Sequence, residues 1–278
     1  MKLSIITINR NNAEGLKRTL DSVKTQTYQG FEHIIIDGAS TDDSVKIIES
    51  YIRDVSCMKY DVLWVSEPDT GIYNAMNRGV RKVHGDYVLM LNSGDYLVDE
   101  LVLERIVPEL DGTDIIQGNI IKVGASEEQL ERGYGKSDIT FIDVMKNHFL
   151  HQASFCRREL FDKYGYFDES YKINGDTVFY AKCLGFGNAT FRYVNQSIAY
   201  FDTTGISADP NGKWAILRKE EDERYEQMFS QRMWDLFYKE EKKIKLYDKL
   251  HAHRWSWYMT MAIARLVNLL HRAKWVKE

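Results

Sequence analysis

The first 118 residues alternate between short apolar runs and longer stretches in which apolar residues recur at helical spacing. The apolar runs predict strands, and the periodic stretches, such as the one that carries Leu16, Leu20 and Val23, predict amphipathic helices. Because strand and helix alternate, the sequence predicts an α/β fold, with a parallel sheet and helices on both faces. We expect strands at 3–8, 32–36, 62–65, 87–91 and 114–118, and helices at 13–26, from a cap within 40–42 to about 53, at 72–81 and at 99–110.

The alternation weakens after about residue 120, and a charged, helical composition begins at Lys213. Strands are expected at 153–156 and 189–194, and helical segments at 141–145, 158–164 and 176–184. Two helices are then expected over about 213–240 and about 244–275.

Polar residues follow each of the first four predicted strands. The carboxyl ends of parallel strands lie along one edge of the sheet, where open α/β sheets bind their ligands. Asn, Asp and Ser also favour turns and helix caps, so each residue taken alone has an ordinary explanation. Convergence of four such sets favours a binding crevice, formed by Thr7, Asn9 and Asn11, by Asp37, by Glu67 and Asp69, and by Asn92 and Asp95.

This crevice lacks the two common glycine-rich phosphate sites. No G-x-G-x-x-G follows the first strand, and no G-x-x-x-x-G-K-[ST] occurs in the sequence. Asp37 and Asp69 could instead accept hydrogen bonds from a base or a ribose. Asp95 could hold a divalent cation against phosphate oxygens, or it could only close a turn.

Four segments carry a resemblance to a known family, and they are Ser4–Asn11, Asp37–Asp42, Ser66–Gly79 and Asn92-Ser93-Gly94-Asp95. In order and spacing they closely resemble the family 2 glycosyltransferases of the GT-A fold. The last segment resembles the metal-binding D-x-D site of that family, in the N-S-G-D form of one bacterial branch. The match continues through His151-Gln152 and 165–169 to about residue 207, roughly three-quarters of the chain.

The resemblance implies a Rossmann-like, mostly parallel central sheet flanked by helices, and it implies donor-binding roles. Asp95 would hold Mg²⁺ or Mn²⁺ on the diphosphate of a nucleotide sugar. Asn92 stands where the family often has Asp, so we expect weak metal binding that is completed by phosphates and water. The nucleotide pocket would be lined by Thr7, Asn9, Asp37 and Asp69, with Asn77 and Arg78 nearby.

On the acceptor side, Asp176 occupies the position of the family's catalytic base, which would deprotonate the attacking hydroxyl. The alternative is that Asp176 only begins a helix, where the dipole favours an acid. Asp168 is a competitor for the base, but its context, Gly165-Tyr166-Phe167-Asp168, is more typical of a structural turn.

Five further residues would contact the donor sugar or the diphosphate by the same resemblance. Ser207 would belong to a mobile loop at 204–207, in which Thr204 replaces the first of two family glycines. A histidine outside a motif is more often structural, so both readings of His151 stay open. The full set is Asn92, Ser93, His151, Gln152 and Ser207.

These observations predict a GT-A domain over 1–210, with a nucleotide-binding half at 1–118 and an acceptor half at 119–210, followed by a helical extension at 211–278. The expected function is inverting, metal-dependent transfer of a sugar from a nucleotide donor, such as a UDP-hexose or UDP-N-acetylhexosamine. The acceptor would be a saccharide or a lipid-linked sugar in bacterial surface polysaccharide biosynthesis. Two alternatives stay open: a sugar-phosphate nucleotidyltransferase, and a non-catalytic carbohydrate- or membrane-binding subunit.

Charge and cysteine content bear on location. The three cysteines are widely spaced and form no CxxC pair, which suits a reducing cytoplasm. Residues 242–278 carry nine Lys and Arg against two acids, although the whole chain has a net charge of −4. An aromatic, basic helix at 244–275 suits peripheral contact with an anionic membrane on the inner face of the cell membrane. Alternatively, this helix packs on the core of the chain or on a second subunit. No nucleic-acid partner is expected.

Overall fold

A computed structural model describes residues 3–124, 127–146, 149–204 and 213–252. Nine strands in these ranges are β1 (Leu3–Asn9), β2 (Phe31–Asp37), β3 (Asp61–Ser66), β4 (Tyr87–Met90), β5 (Tyr96–Leu97), β6 (Ile115–Val123), β7 (Gln129–Glu131), β8 (Ser154–Arg157) and β9 (Phe191–Asp202). The α-helices are α1 (Ala13–Lys24), α2 (Ser44–Val55), α3 (Ile72–Val80), α4 (Val102–Ile106), α5 (Phe141–Lys146), α6 (Glu159–Tyr164), α7 (Gly175–Ala181), α8 (Lys213–Glu226) and α9 (Gln231–Ala252).

A single sheet carries these strands in the order β3-β2-β1-β4-β8-β6-β9-β5, and β7 pairs with β6. Strands β3, β2, β1 and β4 are parallel neighbours, whereas β8 joins β4 and β6 in antiparallel pairs. Every residue of β1, β2 and β4 is buried, as expected for strands covered on both faces. The predicted α/β architecture is therefore confirmed.

Helix α1 packs on the sheet through the apolar stripe that its sequence predicts. Leu16, Leu20 and Val23 are buried within the main hydrophobic core, at i, i+4 and i+7. The helix begins at the cap residue Asn12, whose side chain accepts a hydrogen bond from the N–H of Gly15 at 3.2 Å. This cap places the residues that follow β1 at the carboxyl edge of the sheet.

Several predicted elements differ in length from those observed, and the strand expected at 189–194 extends to Asp202 as β9. The helix expected at 99–110 is shorter, because the Asp99 carboxylate accepts a hydrogen bond from the N–H of Leu101 before α4 begins. Pro108 has no N–H for an α-helical bond, and the chain continues as a 3₁₀ turn at Val107–Glu109. The strand expected at 114–118 extends to Val123, because β6 pairs along its length with β9.

The prediction of a single helix over 213–240 is wrong. Helix α8 ends at Glu226 and α9 begins at Gln231. A turn follows α8, in which the N–H of Phe229 donates to the carbonyl oxygen of Glu226. Ser230 then starts α9, because its carbonyl oxygen and hydroxyl accept hydrogen bonds from the N–H of Met233 and its carbonyl also accepts from Trp234. The predicted second helix at 244–275 overlaps α9 as far as Ala252, and its remainder lies outside the described residues.

The chain divides by internal contacts into two compact units, Met1–Tyr225 and Glu226–Glu278. The first unit contains the sheet and nearly all of α8. In the second unit, Trp234 packs edge-on against Phe229 and Phe237. Among the residues that the structure describes, none of the helices has both the length and the apolarity needed to cross a membrane.

Gly79 on α3 lies directly over Ile6 of β1, and an added Cβ would sit 2.5 Å from the Ile6 Cγ2 atom. We expect Gly79→Ala to lower the free energy of unfolding by about 1–2 kcal/mol through overpacking. Without this contact, Ala in a helix would raise stability by about 1 kcal/mol relative to Gly. Urea unfolding of the two proteins gives the difference.

The control is the same substitution in an Ile6→Ala background, where the obstructing side chain is absent. There Gly79→Ala should raise stability, so the sign of the effect reverses across the double-mutant cycle. An equal loss in both backgrounds would contradict a steric contact between Gly79 and Ile6.

Candidate active site

Asp37, at the end of β2, is the centre of a hydrogen-bonded cluster at the carboxyl edge of the sheet. Asn9 donates to its Oδ1 at 2.8 Å, and the hydroxyls of Ser40 and Ser66 donate to its two oxygens at 2.6 and 2.7 Å. Burial raises the pKa of this carboxyl, but the hydrogen bonds from Ser40, Ser66 and Asn9 outweigh burial and lower the pKa below its ordinary value. Asp37 is therefore a fixed anion.

Asp69 approaches this cluster from the loop after β3. Its Oδ1 accepts a hydrogen bond from the N–H of Gly71 at 3.0 Å and lies 3.4 Å from the Arg10 guanidinium. A Cβ at Gly38 would lie 2.1 Å from the Asp69 Oδ2, so only glycine permits this close approach. The predicted convergence of the first three strand ends is thus observed.

Three residues expected near the nucleotide pocket have partners in the surrounding structure. The Thr7 hydroxyl is fully buried, 2.9 Å from Nε2 of His33. Asn77 donates to the carbonyl oxygen of Phe167 and accepts from its N–H. Arg78 forms a 2.6 Å ion pair with Glu67. These contacts hold the segments that form the crevice wall.

Asp95, the last residue of the turn after β4, is enclosed by protein and only 5% exposed. Its Oδ1 accepts a hydrogen bond from the N–H of Asp202 at 3.1 Å. Burial raises the pKa of Asp95 to about 7, against the opposing charges of His151 and Arg18. A carboxyl with this pKa changes charge near neutral pH, unlike Asp37.

The donor set around Asp95 bears on metal binding. No cluster of three or more His, Cys, Asp or Glu side chains suited to a metal ion occurs in the described ranges. Asp202, whose N–H donates to Asp95, has its own carboxylate paired with Arg18 at 2.7 Å. One carboxylate fits Mg²⁺ or Mn²⁺ only where phosphate oxygens and water complete the coordination shell.

Contacting side chains connect the turn after β4 to α7. Nδ1 of His151 lies 2.8 Å from Oδ2 of Asp176, and Nε2 lies 3.3 Å from the Asn92 amide nitrogen. Burial lowers the pKa of His151, but its hydrogen bond and ion pair with Asp176 outweigh burial and raise the pKa. Burial likewise raises the pKa of Asp176, and the same contacts with His151 lower it overall. The two groups form a buried, oppositely charged pair.

The orientation of the Asn92 amide follows from this charge. A protonated imidazole donates from both nitrogens, so it requires an acceptor opposite Nε2. Within the described part of the chain, the Asn92 Oδ1 is buried without a hydrogen-bond partner. Turning the amide so that Oδ1 faces His151 gives the Nε2–H an acceptor and the Asn92 Oδ1 a donor.

Tyr73 completes the surroundings of Asp176 and was missed by the sequence-based reasoning. Its hydroxyl lies 3.0 Å from Oδ1 of Asp176 and also contacts the carbonyl oxygen of Ile173. Gly175 packs against its ring, where a Cβ would lie 2.7 Å from a ring carbon. The signal available in the sequence was the segment Ser66–Gly79 that carries the family resemblance, in which Tyr73 is the second residue of α3.

The remaining predicted residues have other partners or lie outside the residues that the structure describes. Ser93 accepts a hydrogen bond from Asn12 through its carbonyl oxygen at 3.1 Å. Gln152 is buried, in the 3₁₀ turn at His151–Ala153. Asp168 accepts from the N–H and hydroxyl of Ser170, as expected for a structural turn. Ser207 lies outside the described residues.

Comparison with known sequences shows the family of this chain. The model of glycosyl transferase family 2 matches residues 4–257, and the chain belongs to that family. An uncharacterised glycosyltransferase of Mycobacterium tuberculosis is 32% identical over 235 residues, covering 78% of this chain and 82% of its own. A PGL/p-HBAD biosynthesis glycosyltransferase of Mycobacterium bovis is 29% identical over 205 residues, covering 73% of this chain and 77% of its own.

Two solved structures share the fold. S. aureus TarS 1–349 in complex with UDP-GlcNAc has a TM-score of 0.60 and 21% identity, over 73% of this chain and 58% of that one. The mannosyltransferase PcManGT of Pyrobaculum calidifontis, in complex with GDP-Man and Mn²⁺, has a TM-score of 0.56 and 18% identity, over 72% of this chain and 56% of that one. This chain thus spans less than two-thirds of either solved chain. The expected GT-A fold is confirmed.

Replacing Asp95 with Asn is expected to raise the free energy of unfolding at pH 8, by on the order of 1–4 kcal/mol. The folded pKa of about 7 lies above the ordinary 3.8, so the folded protein keeps a proton that the unfolded chain has lost. The wild type therefore loses stability as the pH rises from about 4 to about 7, and the variant avoids this loss. Urea unfolding of the wild type and the variant at pH 5 and pH 8 measures the free energy of unfolding of each protein.

The two proteins should differ less at pH 5, where Asp95 is already protonated in the folded state. Asp43→Asn is the matched control, because the Asp43 side chain is 71% exposed. An advantage of Asp95→Asn that does not grow with pH would contradict the buried, protonated carboxyl.

Proposed function

We propose that this glycosyltransferase moves a hexose or an N-acetylhexosamine from a UDP-linked donor to a saccharide or lipid-linked acceptor, with inversion at the anomeric carbon. The observation that carries the proposal is the pair of Asp176 and His151, which is buried, charged and linked to Asn92 after β4. The M. bovis relative, by its name, acts in PGL/p-HBAD biosynthesis. Surface polysaccharide or glycolipid assembly is the corresponding role here.

Asp176 would act as the base. Hydrogen bonds from Tyr73, His151 and the Thr177 backbone occupy three of the roughly four lone-pair sites of the Asp176 carboxylate, which leaves capacity for the acceptor hydroxyl. As the hydroxyl oxygen bonds to the anomeric carbon, its proton passes to Asp176 and the nucleoside diphosphate departs. A positively charged His151 keeps Asp176 ionised before the reaction.

The nucleoside would occupy the crevice beside Asp37 and Asp69. The Asp37 carboxylate is ionised and already bound by four donors, so it fixes the surrounding loop. Asp69 has fewer partners and can accept from a base N–H or a ribose hydroxyl. The TarS structure that contains UDP-GlcNAc supports UDP as the nucleotide to test first.

Asp95 would hold Mg²⁺ or Mn²⁺, and such an ion neutralises charge on a leaving diphosphate. The pKa of about 7 means that Asp95 becomes fully available to a cation only above neutral pH, or when the cation displaces its proton. The Mn²⁺ in the PcManGT structure supports this choice of ion. Ser93 and Gln152 would support the diphosphate side.

We also propose a cytoplasmic location, with the basic segment 244–275 in contact with an anionic membrane. This proposal rests on the sequence, because the residues after Ala252 lie outside the described ranges. A lipid-linked acceptor would place the reaction at that surface.

A thermal-shift screen of UDP-, GDP- and dTDP-sugars, each with and without Mn²⁺, tests donor binding. A ligand that binds the folded state raises Tm by mass action, and we expect the largest rise with a UDP-sugar and Mn²⁺ together. Asp95→Asn should lose the part of the rise that depends on Mn²⁺ and keep the part due to the nucleotide. A lack of any shift with all donors would contradict the proposal.

Asp176→Asn should reduce turnover by at least about 100-fold, because an amide cannot take the acceptor proton. Donor binding should persist, since Asn preserves the size of the side chain. The measurement is release of UDP from UDP-GlcNAc, with water or a saccharide as acceptor. Asp168→Asn is the matched control and should keep its turnover within about twofold. Full activity in Asp176→Asn would exclude Asp176 as the base, and binding without any wild-type turnover would favour a non-catalytic subunit.

A further inference from the structure

The carboxylate of Glu221, on α8, lies inside the protein and is only 1% exposed. It accepts hydrogen bonds from three consecutive backbone N–H groups, those of Lys172, Ile173 and Asn174. The last two are each 2.8 Å from its Oε2. Backbone N–H groups that point at one anion form a strong, geometrically specific site.

The neighbours of Glu221 on the same helix bind the same loop. Asp222 accepts a hydrogen bond from the Asn174 side chain at 2.6 Å. Arg224 donates to the Ser170 hydroxyl at 2.8 Å, and its guanidinium lies 3.9 Å from the centre of the Tyr171 ring. Helix α8 therefore holds every residue from 170 to 174.

This loop leads directly into α7, and Asp176 is the second residue of that helix. On its other side the loop is held by Tyr73, whose hydroxyl contacts both Ile173 and Asp176. The loop is thus clamped between α3 and α8. Within the described residues, the hydrogen bonds of Glu221 go to the loop backbone at 172–174 and those of Tyr73 go to Ile173 and Asp176.

We propose that Glu221 is a positioning residue for Asp176, and this inference rests on the proposed role of Asp176 as the base. Glu221 fixes the backbone at 172–174, which sets the direction in which α7 presents Asp176 to the acceptor. A displacement of about 1 Å at a reacting group can reduce a rate about 100-fold. The donor pocket around Asp37 and Asp69 is formed by other segments, so donor binding should not change.

Two substitutions test the proposal. Glu221→Gln keeps the size of the side chain but replaces one acceptor oxygen with an NH₂ group, which cannot accept from the loop. We expect kcat for UDP-GlcNAc turnover to fall about 10- to 100-fold, with KM for the donor unchanged within about twofold. Glu221→Asp retains a carboxylate and should recover part of this loss. Glu223→Gln is the matched control, because Glu223 lies exposed on the same helix.

Hydrogen exchange supplies a readout that does not depend on activity. The amides of Lys172, Ile173 and Asn174 should exchange faster in Glu221→Gln than in the wild type, whereas amides of the β1–β2 core should not change. Glu223→Gln should show the wild-type pattern at all of these positions.

Three results would overturn the inference. Unchanged exchange at 172–174 would show that Glu221 does not hold the loop. Faster exchange with an unchanged kcat would show that the loop does not position the base. A parallel loss of kcat, donor affinity and core protection would indicate a general structural role. If the wild type has no turnover, the proposed function fails and the catalytic part of this inference fails with it, while hydrogen exchange still reports on the loop.

Discussion

The site depends on one buried contact, the 2.8 Å pair between Nδ1 of His151 and Oδ2 of Asp176. Each group alone would be driven to its neutral form by burial, because an unpaired charge is costly away from water. Together they remain charged, and each shifts the pKa of the other in the direction that preserves the pair. Asp176 is therefore ionised inside the protein chiefly because a histidine from another segment lies against it, with further hydrogen bonds from Thr177 and Tyr73.

The pKa of Asp95, in the same part of the site, is shifted in the opposite direction. Burial raises its pKa to about 7, because the charges of His151 and Arg18 offset only part of the cost of removing the carboxylate from water. The pKa of Asp37 is lowered like that of Asp176, but by hydrogen bonds from neutral groups that outweigh burial. The partners of each carboxyl thus determine its pKa: an ion pair lowers that of Asp176, hydrogen bonds from neutral groups lower that of Asp37, and burial raises that of Asp95.

The sheet and its strand ends could be predicted because they depend on local patterns. Apolar runs gave β1 to β4; Asn9 and Asp37 are the last residues of β1 and β2, and Asp69 lies three residues after β3. The contacts of Tyr73 and Glu221 could not be predicted, because their partners lie about 100 and about 50 residues away in the chain. The break at Ser230 was missed because a serine within a charged stretch is compatible with a helix or with a cap.

The strand order also has a consequence for how the chain is made. The four parallel strands whose ends form the candidate site are complete at Met90, and each contacts partners already synthesised. The outer edge of β4, however, pairs with β8 at Ser154–Arg157. Until the ribosome has added those residues, the backbone N–H and C=O groups on that edge of β4 have no strand beside them. Nascent chains shorter than about 157 residues therefore present an open sheet edge, which is where a chaperone or a second nascent chain would attach.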